Sequence, residues 1–211
     1  MVLGAVALVL AGCSAAPTAA PAPSETSSPS STPAPTSAPT PTPTPEPTRP
    51  ALRELVLSPG GFEQLPLGID PATIDPAVSI VEATPLECDP ATLSWHAVES
   101  AFPTDAQGHR PFAIAVRDSQ VRAIQVVWSR DIKTAEGIQI GSTRQALLDA
   151  YPGIDVVISD QRGDVYVVRD DRGWMRMSVF YETETVSEML ATTNDIPVSA
   201  PSYHTIDAAC L

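Results

Sequence analysis

Apolar and polar residues alternate in two adjoining stretches near the middle of the chain. Residues 112–117 and 121–128 place apolar side chains at about every second position, the period of a β-strand that buries one face. The residues between them, Asp118-Ser119-Gln120, suit a tight turn. The pattern therefore predicts a β-hairpin.

Strand-like segments recur toward the C-terminus. Four more segments are rich in Val, Met, Ile and aromatic residues, namely residues 155–159, 165–169, 174–182 and 186–191. The connections at 161–164 and 170–173 each contain a glycine, which allows the positive φ that hairpin turns need. These segments predict a second run of antiparallel strands.

A helical period is found between these two groups of strands. Leu147 and Tyr151 lie on one face of a helix that Ser142 can cap at its N-terminus. Gln145, three residues after Ser142, completes a predicted capping box. The Pro-Gly pair at 152–153 ends the helix.

Residues 51–111 give weaker signals. Residues 52–57 predict a short strand, and residues 93–101 fit either a strand or a helix. Pro71 and Pro76 argue against a long helix in this region.

Two quartets in the chain resemble each other. Residues 65–68 and 138–141 each consist of an alternating apolar pair closed by glycine, and each can open a unit of helix and antiparallel strands. Together with the strand pattern, this predicts an α+β fold, mainly an antiparallel sheet with one or two short helices.

An uncharged apolar run at residues 2–10 ends in Leu10-Ala11-Gly12-Cys13. The run is shorter than the roughly 20 residues of a membrane-spanning helix and matches the apolar region of a signal peptide. The four residues resemble the lipobox of bacterial lipoproteins. This resemblance implies that residues 1–12 are removed and that Cys13 receives a diacylglyceryl group. The alternative is an ordinary secretory signal with a chance cysteine.

The expected location follows from that lipid. Two or more acyl chains anchor a protein stably, so the resemblance implies a protein tethered to the cell membrane on its extracytoplasmic face. Signal peptides begin with basic residues, and none precedes Arg49. We therefore expect the natural start to lie upstream of Met1.

A Pro-, Thr- and Ser-rich segment separates Cys13 from the predicted domain. Residues 14–50 hold 12 of the 23 prolines and almost no bulky apolar side chain. Such a segment cannot bury enough surface to offset the entropy of ordering. We therefore predict that residues 13–50 form a lipidated, disordered stalk, with a reach of about 110 Å in polyproline II geometry.

The chain is acidic, with 25 acidic against 12 basic residues and a net charge of −13. Glu25, Glu46 and Arg49 are the charged side chains of the first 50 residues, so the charge belongs to residues 51–211, which suit a single domain. Phosphate backbones repel such a domain, which argues against nucleic acid as a partner. Solubility explains the acidity, and attraction of a cationic partner is the alternative.

The three cysteines suggest one crosslink. Lipid attachment uses Cys13, which leaves Cys88 and Cys210 as an even pair in an oxidising compartment. We therefore expect a disulfide between Cys88 and Cys210, and two separate buried thiols are the alternative. The chain-entropy model gives so long a loop roughly 4–5 kcal/mol as an upper figure.

Familiar catalytic and metal-binding motifs are absent from the sequence. The histidines are His96, His109 and His204, and no pair has His-Glu-x-x-His spacing; no Cys-x-x-Cys pair exists either. Gly-x-Ser-x-Gly and Ser-x-x-Lys motifs are also missing. We predict no catalytic, metal or cofactor-binding residues, while a site assembled from distant residues stays open.

Two sets of residues carry enzymatic or glycan-binding alternatives. Glu182 and Glu184 on a strand would point the same way about 7 Å apart, within the spacing of an inverting glycosidase. In so acidic a domain a pair at this spacing carries almost no weight. The three tryptophans, Trp95, Trp128 and Trp174, can form a glycan-stacking platform, although core packing is their usual role.

The segment at 134–151 has the form T-x-x-G-I-x-I-G-S-T-x-x-x-L-x-x-x-Y. It resembles a recurring segment of uncharacterised actinobacterial secreted lipoproteins. Those chains also share the order of lipobox, Pro/Thr stalk and small α+β domain. The apolar-x-apolar-Gly step is more distantly similar to the β-lactamase-inhibitor-like and outer-membrane assembly lipoprotein fold. The resemblance implies a fold and an envelope location, and it implies no catalytic residue.

Two functions remain open on this sequence. The first is a non-catalytic domain that binds a protein or cell-wall partner at the envelope. The second is an envelope hydrolase whose residues converge only in three dimensions. A histidine and a carboxylate within hydrogen-bonding reach in a pocket would favour the hydrolase.

Overall fold

β-Strands dominate the computed structural model, which describes residues 48–85 and 93–199. These residues belong to one compact unit, Pro45–Leu211. The strands are β1 (Gly61–Phe62), β2 (Leu65–Pro66), β3 (Val81–Pro85), β4 (Leu93–Ala97), β5 (Ala113–Arg117), β6 (Gln120–Val126), β7 (Val156–Ser159), β8 (Gly163–Arg169), β9 (Trp174–Phe180) and β10 (Thr185–Thr192). The helix α1 (Arg144–Ala150) lies between β6 and β7 in the chain.

Eight of these strands form one antiparallel sheet. Their order is β3-β4-β5-β6-β10-β9-β8-β7, and β1 and β2 form a separate two-stranded ribbon. Within the large sheet every strand pairs with its neighbours in the chain, except at the centre, where β6 pairs with β10. The domain is therefore mostly β with one short helix, and the predicted antiparallel sheet is confirmed.

The sheet consists of two equivalent halves. β3–β6 and β7–β10 are both four-stranded meanders, and the antiparallel β6–β10 pair joins them. A short helical segment precedes each meander, the 3-10 turn Pro71–Thr73 in the first half and α1 in the second. The strand order thus relates the halves by an approximate two-fold rotation about the centre of the sheet.

The repeated quartets of the sequence take corresponding places in the two halves. Gly68 and Gly141 both have positive φ, 84° and 88°. The Gly68 N–H donates to the carbonyl of Val121 on β6 at 2.7 Å, and the Gly141 N–H donates to that of Val186 on β10 at 2.8 Å. Each glycine ties the entry of its helical segment to a central strand, so the sequence echo is a structural repeat.

The helix begins one residue later than the capping pattern predicts. Thr143 is its N-cap and accepts a hydrogen bond from the Ala146 N–H at 3.1 Å. Ser142 instead accepts from the Gln139 N–H at 3.0 Å, which closes the preceding turn. No helix in the described part of the chain is long and apolar enough to cross a membrane.

The first half differs most from the expectations. The predicted strand at 52–57 is wrong, because the chain forms the 3-10 turn Leu52–Glu54 and then buries Leu55 and Leu57 against the core. β3 follows a region of turns and was not predicted. The segment 93–101, for which the sequence left strand and helix open, contains the strand β4 at Leu93–Ala97.

The two faces of the large sheet are unequal. The core face carries the main hydrophobic cluster and packs against α1, the β1–β2 ribbon and the loops. The outer face carries a smaller buried cluster of Ala115, Ala123, Trp174 and Leu190. Ile196 and Val198, from the segment after β10, pack on that smaller cluster.

Candidate functional site

The residues predicted for lipid attachment and the disulfide lie outside the described residues. These are Cys13, Cys88 and Cys210, together with His204. Lipidation at Cys13 and a disulfide between Cys88 and Cys210 therefore stay predictions.

A cleft of about 310 Å³ lies at the β3 edge of the sheet. Its lining is mainly apolar and includes Ile74, Pro76, Val81, Ala83, Trp95 and Val98. Trp95 is half-buried on the core face of β4. A concave apolar surface of this volume falls at the lower end of the range for binding pockets.

Arg49 closes one side of this cleft. Its Nε donates to the Ser79 carbonyl at 2.5 Å and its Nη2 to the Pro76 carbonyl at 2.8 Å. The predicted stalk ends at residue 50, yet Arg49 already contacts the folded domain. Arg49 is therefore part of the folded domain and lies beside the cleft.

A buried polar cluster lies on the outer face. The Glu188 carboxylate accepts hydrogen bonds from Gln125 Nε2 at 2.5 Å and from Ser178 Oγ at 3.2 Å. Arg176 Nη2 lies 3.3 Å from the same carboxylate. Arg176 and Glu188 are 6% and 8% exposed, so the charges of this ion pair are well shielded from solvent.

The segment after β10, residues 193–199, covers part of this cluster. Trp174 Nε1 donates to the Ile196 carbonyl at 2.8 Å, and Arg176 Nη1 donates to the Val198 carbonyl at 3.3 Å. Arg122 forms an ion pair with Asp195. The sequence did not predict this cluster, because its polar residues lie on strands whose other residues are mostly apolar.

His109 and Asp105 form an exposed pair. His109 Nδ1 lies 3.0 Å from Asp105 Oδ2, and the His109 ring stacks on Trp128 with centroids 4.0 Å apart. The hydrogen bond from the His109 N–H is the largest cause that lowers the pKa of Asp105. The described hydrogen bonds of this ring include no Ser, Thr or Cys side chain that could act as a nucleophile.

His96 is more enclosed. Its Nε2 lies 3.6 Å from Glu82 Oε1, an oxygen that also accepts the Glu99 N–H at 2.8 Å. Burial lowers the pKa of His96, and Arg110 adds to this effect. Glu82 and Glu99 oppose it without cancelling it.

We expect the stability of the domain to fall between pH 7 and pH 5 through His96. The folded state holds the pKa of His96 below its ordinary value of 6.5, so the unfolded state takes up a proton more readily in this range. The midpoint of urea denaturation at the two pH values measures the effect. His96→Gln should show a smaller difference than the parent, and an unchanged difference would contradict the assignment.

The carboxylate pair considered as a glycosidase alternative does not have the assumed geometry. Glu182 and Glu184 lie in the turn after β9 and not on a strand, so the prediction from strand geometry is wrong. Glu184 has a φ of 52° and accepts a hydrogen bond from Arg144 Nε at 2.5 Å. Its role is to hold the start of α1 to the sheet.

Arg144 is the centre of a second polar cluster. It hydrogen-bonds Asp164 at 2.5 Å and the Tyr166 hydroxyl at 2.7 Å. A hydrogen bond from Tyr181, supported by Ser159 and Arg144, lowers the pKa of Asp164. These contacts hold α1 against β8, so the role of Arg144 is structural.

The tryptophans do not share a surface. Trp174 is fully buried on the outer face, Trp95 lines the cleft on the core face, and Trp128 is 55% exposed beside His109. The alternative of a three-tryptophan platform is therefore wrong, because Trp95 and Trp174 lie on opposite faces of the sheet. Core packing, the role expected by default, holds for Trp174 and in part for Trp95.

The motif at 134–151 carries structure in this fold. Thr134 Oγ1 accepts the Ile138 N–H at 3.2 Å, Leu147 is fully buried, and the Tyr151 hydroxyl donates to Glu136. Among the residues that the structure describes, no group of three His, Cys, Asp or Glu side chains is placed to hold a metal ion.

Comparison with known proteins gives no relative. No protein family, curated protein or solved structure matches this chain.

Proposed function

We propose that this protein is a lipid-anchored, non-catalytic binding domain on the extracytoplasmic face of the cell membrane. The observation that carries the anchor is the sequence Leu10-Ala11-Gly12-Cys13 at the end of an uncharged apolar run. The proline-rich residues 14–50 support display of the domain at a distance from the membrane. The resemblance to uncharacterised actinobacterial secreted lipoproteins supports the same location.

The binding role is supported by the cleft at the β3 edge. The cleft is concave and mainly apolar, and Arg49 lies at its side. The polar clusters around Glu188 and Arg144 are occupied by internal hydrogen bonds that hold elements of the fold together. Trp95 and its neighbours are therefore the best-supported contact surface of the described domain.

We include in this proposal the α+β classification of the fold. A helical segment followed by a four-stranded meander is the unit of each half, and this order of elements favours α+β over a pure β architecture.

An envelope hydrolase is the alternative, and the His109–Asp105 pair meets one of its two requirements: the groups are in hydrogen-bonding reach, but they do not line the cleft. A histidine held by a carboxylate can act as a general base. The pair lies on an exposed loop, with side chains 35% and 41% exposed. Loss of a measurable hydrolytic activity in His109→Ala would favour this alternative.

Replacing Cys13 by Ala should move the protein from the membrane fraction to the soluble fraction. Without the thiol no lipid can be attached, and the acidic domain gains little from anionic lipid. Fractionation of cells expressing the full precursor, with detection in membrane, soluble and medium fractions, measures this effect.

A matched Ser14→Ala change should leave membrane retention intact, because it spares the thiol next to it. Equal retention of the Cys13→Ala variant and the parent would contradict the anchor.

A further inference from the structure

One row of paired residues crosses six of the eight strands and relates positions in the two halves. The equivalent hydrogen bonds of Gly68 to Val121 and of Gly141 to Val186 make Val121 and Val186 correspond, so Gln125 and Leu190, each four residues further on, correspond as well. From β4 to β8 the row is His96, Ala113, Gln125, Leu190, Arg176 and Val167. The approximate two-fold axis lies between Gln125 and Leu190, so His96 corresponds to Val167. The preceding residues, Trp95 and Tyr166, therefore occupy equivalent positions, and both face the core side.

In the second half, α1 covers this position. The Tyr166 hydroxyl accepts a hydrogen bond from Arg144 at 2.7 Å, and the guanidinium carbon lies 5.9 Å from the ring centroid. Leu147, one turn further along α1, is fully buried in the core. Tyr166 is consequently only 3% exposed.

In the first half the helical segment is too short to do the same. Asp70 caps it as Thr143 caps α1, but only the 3-10 turn Pro71–Thr73 follows. Ile74 is already extended, and Pro76 prevents continuation of a helix. Trp95 stays half-buried, and the cleft that it lines lies between the 71–76 segment and strands β3 and β4.

We propose that this cleft receives a short amphipathic helix of a partner protein, which takes the place that α1 fills in the second half. The inference rests on the proposed binding function and assigns its site and partner class. Aliphatic side chains of the partner would pack on Trp95 and Ile74, as Leu147 packs in the second half.

The charges around the cleft favour a basic partner helix. Asp70 and Asp75 flank the lining residues of the 70–76 loop, and Glu82 lines the cleft itself. Arg49 is the basic residue of the lining, and its guanidinium donates to two backbone carbonyls. The acids are engaged as well, since Asp70, Asp75 and Glu82 accept the backbone N–H groups of Ala72, Ala77 and Glu99. The charge preference therefore rests on three acids against one base around the cleft. The net charge of −13 adds long-range attraction for a cation.

The test uses the full chain carrying Cys13→Ala, which removes the site of lipid attachment, and a fluorescently labelled peptide. The probe has the sequence of residues 141–152 with Asp149→Lys, so that it is basic and keeps the apolar face of α1. Fluorescence anisotropy should show saturable binding. A scrambled peptide of the same composition should bind at least tenfold more weakly.

Two matched substitutions of alanine by leucine locate the site. Ala72 and Ala77 are both exposed residues of the same loop, and of the two only Ala72 lines the cleft. Ala72→Leu fills the cleft and should weaken probe binding at least tenfold, whereas Ala77→Leu should leave it unchanged. Thermal denaturation of both variants verifies that the fold is kept.

Absence of saturable probe binding, or equal affinity of the two leucine variants, would overturn the proposed helix site. The membrane anchor is read separately by fractionation of Cys13→Ala. Peptide binding therefore tests the helix site and cell fractionation tests the membrane location, so the failure of one proposal can be distinguished from the failure of the other.

Discussion

Replacing Glu188 by Ala is expected to lower the free energy of unfolding by about 3–5 kcal/mol. Glu188 is 8% exposed, and its carboxylate lies 3.3 Å from Arg176 Nη2. Alanine removes the carboxylate that compensates the buried charge of Arg176, and it also removes the acceptor of Gln125 and Ser178. Urea denaturation at pH 7, followed by far-UV circular dichroism, measures the loss.

Two variants separate a charge effect from a general effect of truncation. Glu182→Ala removes an exposed carboxylate of the nearby turn and should change stability by no more than about 0.5 kcal/mol. The double variant Arg176→Met/Glu188→Leu removes both charges and should recover the part of the loss that comes from the unpaired Arg176 charge, but not the part that comes from the lost acceptor of Gln125 and Ser178. A single Glu188→Ala variant within about 1 kcal/mol of the parent would show that the pair contributes little.

Replacing Gly163 by Ala is expected to cost about 3 kcal/mol. Gly163 is the first residue of β8, and an added Cβ would lie 2.0 Å from the carbonyl oxygen of Val179 on β9. That oxygen belongs to the backbone, so β8 and β9 would have to separate at this end. The guanidinium chloride midpoint of unfolding measures the effect.

Gly153→Ala is the matched control. Gly153 has a φ of 81°, but an added Cβ would meet no atom within 4 Å. Its substitution should therefore cost only the conformational strain of about 1 kcal/mol. Equal losses in the two variants would mean that the contact with Val179 does not limit the packing of β8 on β9.

The strands and the helix of the second half of the domain can be predicted from the sequence, because local sequence patterns determine them. Alternation of apolar residues and glycine-containing turns predict β7 to β10 with boundaries close to those observed. The helix was predicted with its cap displaced by one residue, since Ser142 and Thr143 are both good capping residues and the turn uses Ser142. The strand predicted at 52–57 is wrong because the alternation there reflects burial of Leu55 and Leu57 in the core and not membership of a sheet.

The cleft and the buried ion pair could not be predicted in the same way. The cleft exists because β3 and β4 meet a helical segment that prolines keep short, and β3 has no clear local signal. Arg176, Ser178 and Glu188 alternate with apolar residues, which does indicate an outer face. That Arg176 pairs with Glu188 depends on the register of β9 against β10. That Gln125 joins them depends on the pairing of β6 with β10, which lie far apart in the chain. Neither the register of a hairpin nor a pairing of such distant strands has a signature in a single sequence.

Because β6 pairs with β10, the central seam of the sheet joins strands from distant parts of the chain. β6 is complete at Val126, whereas β10 begins at Thr185. A nascent chain that folds from its N-terminus leaves β6 as an open edge until the second meander has formed. Open edges are templates for pairing with other chains. Slow emergence of the C-terminal half will therefore promote aggregation through β6, even though that strand lies at the centre of the sheet in the finished molecule.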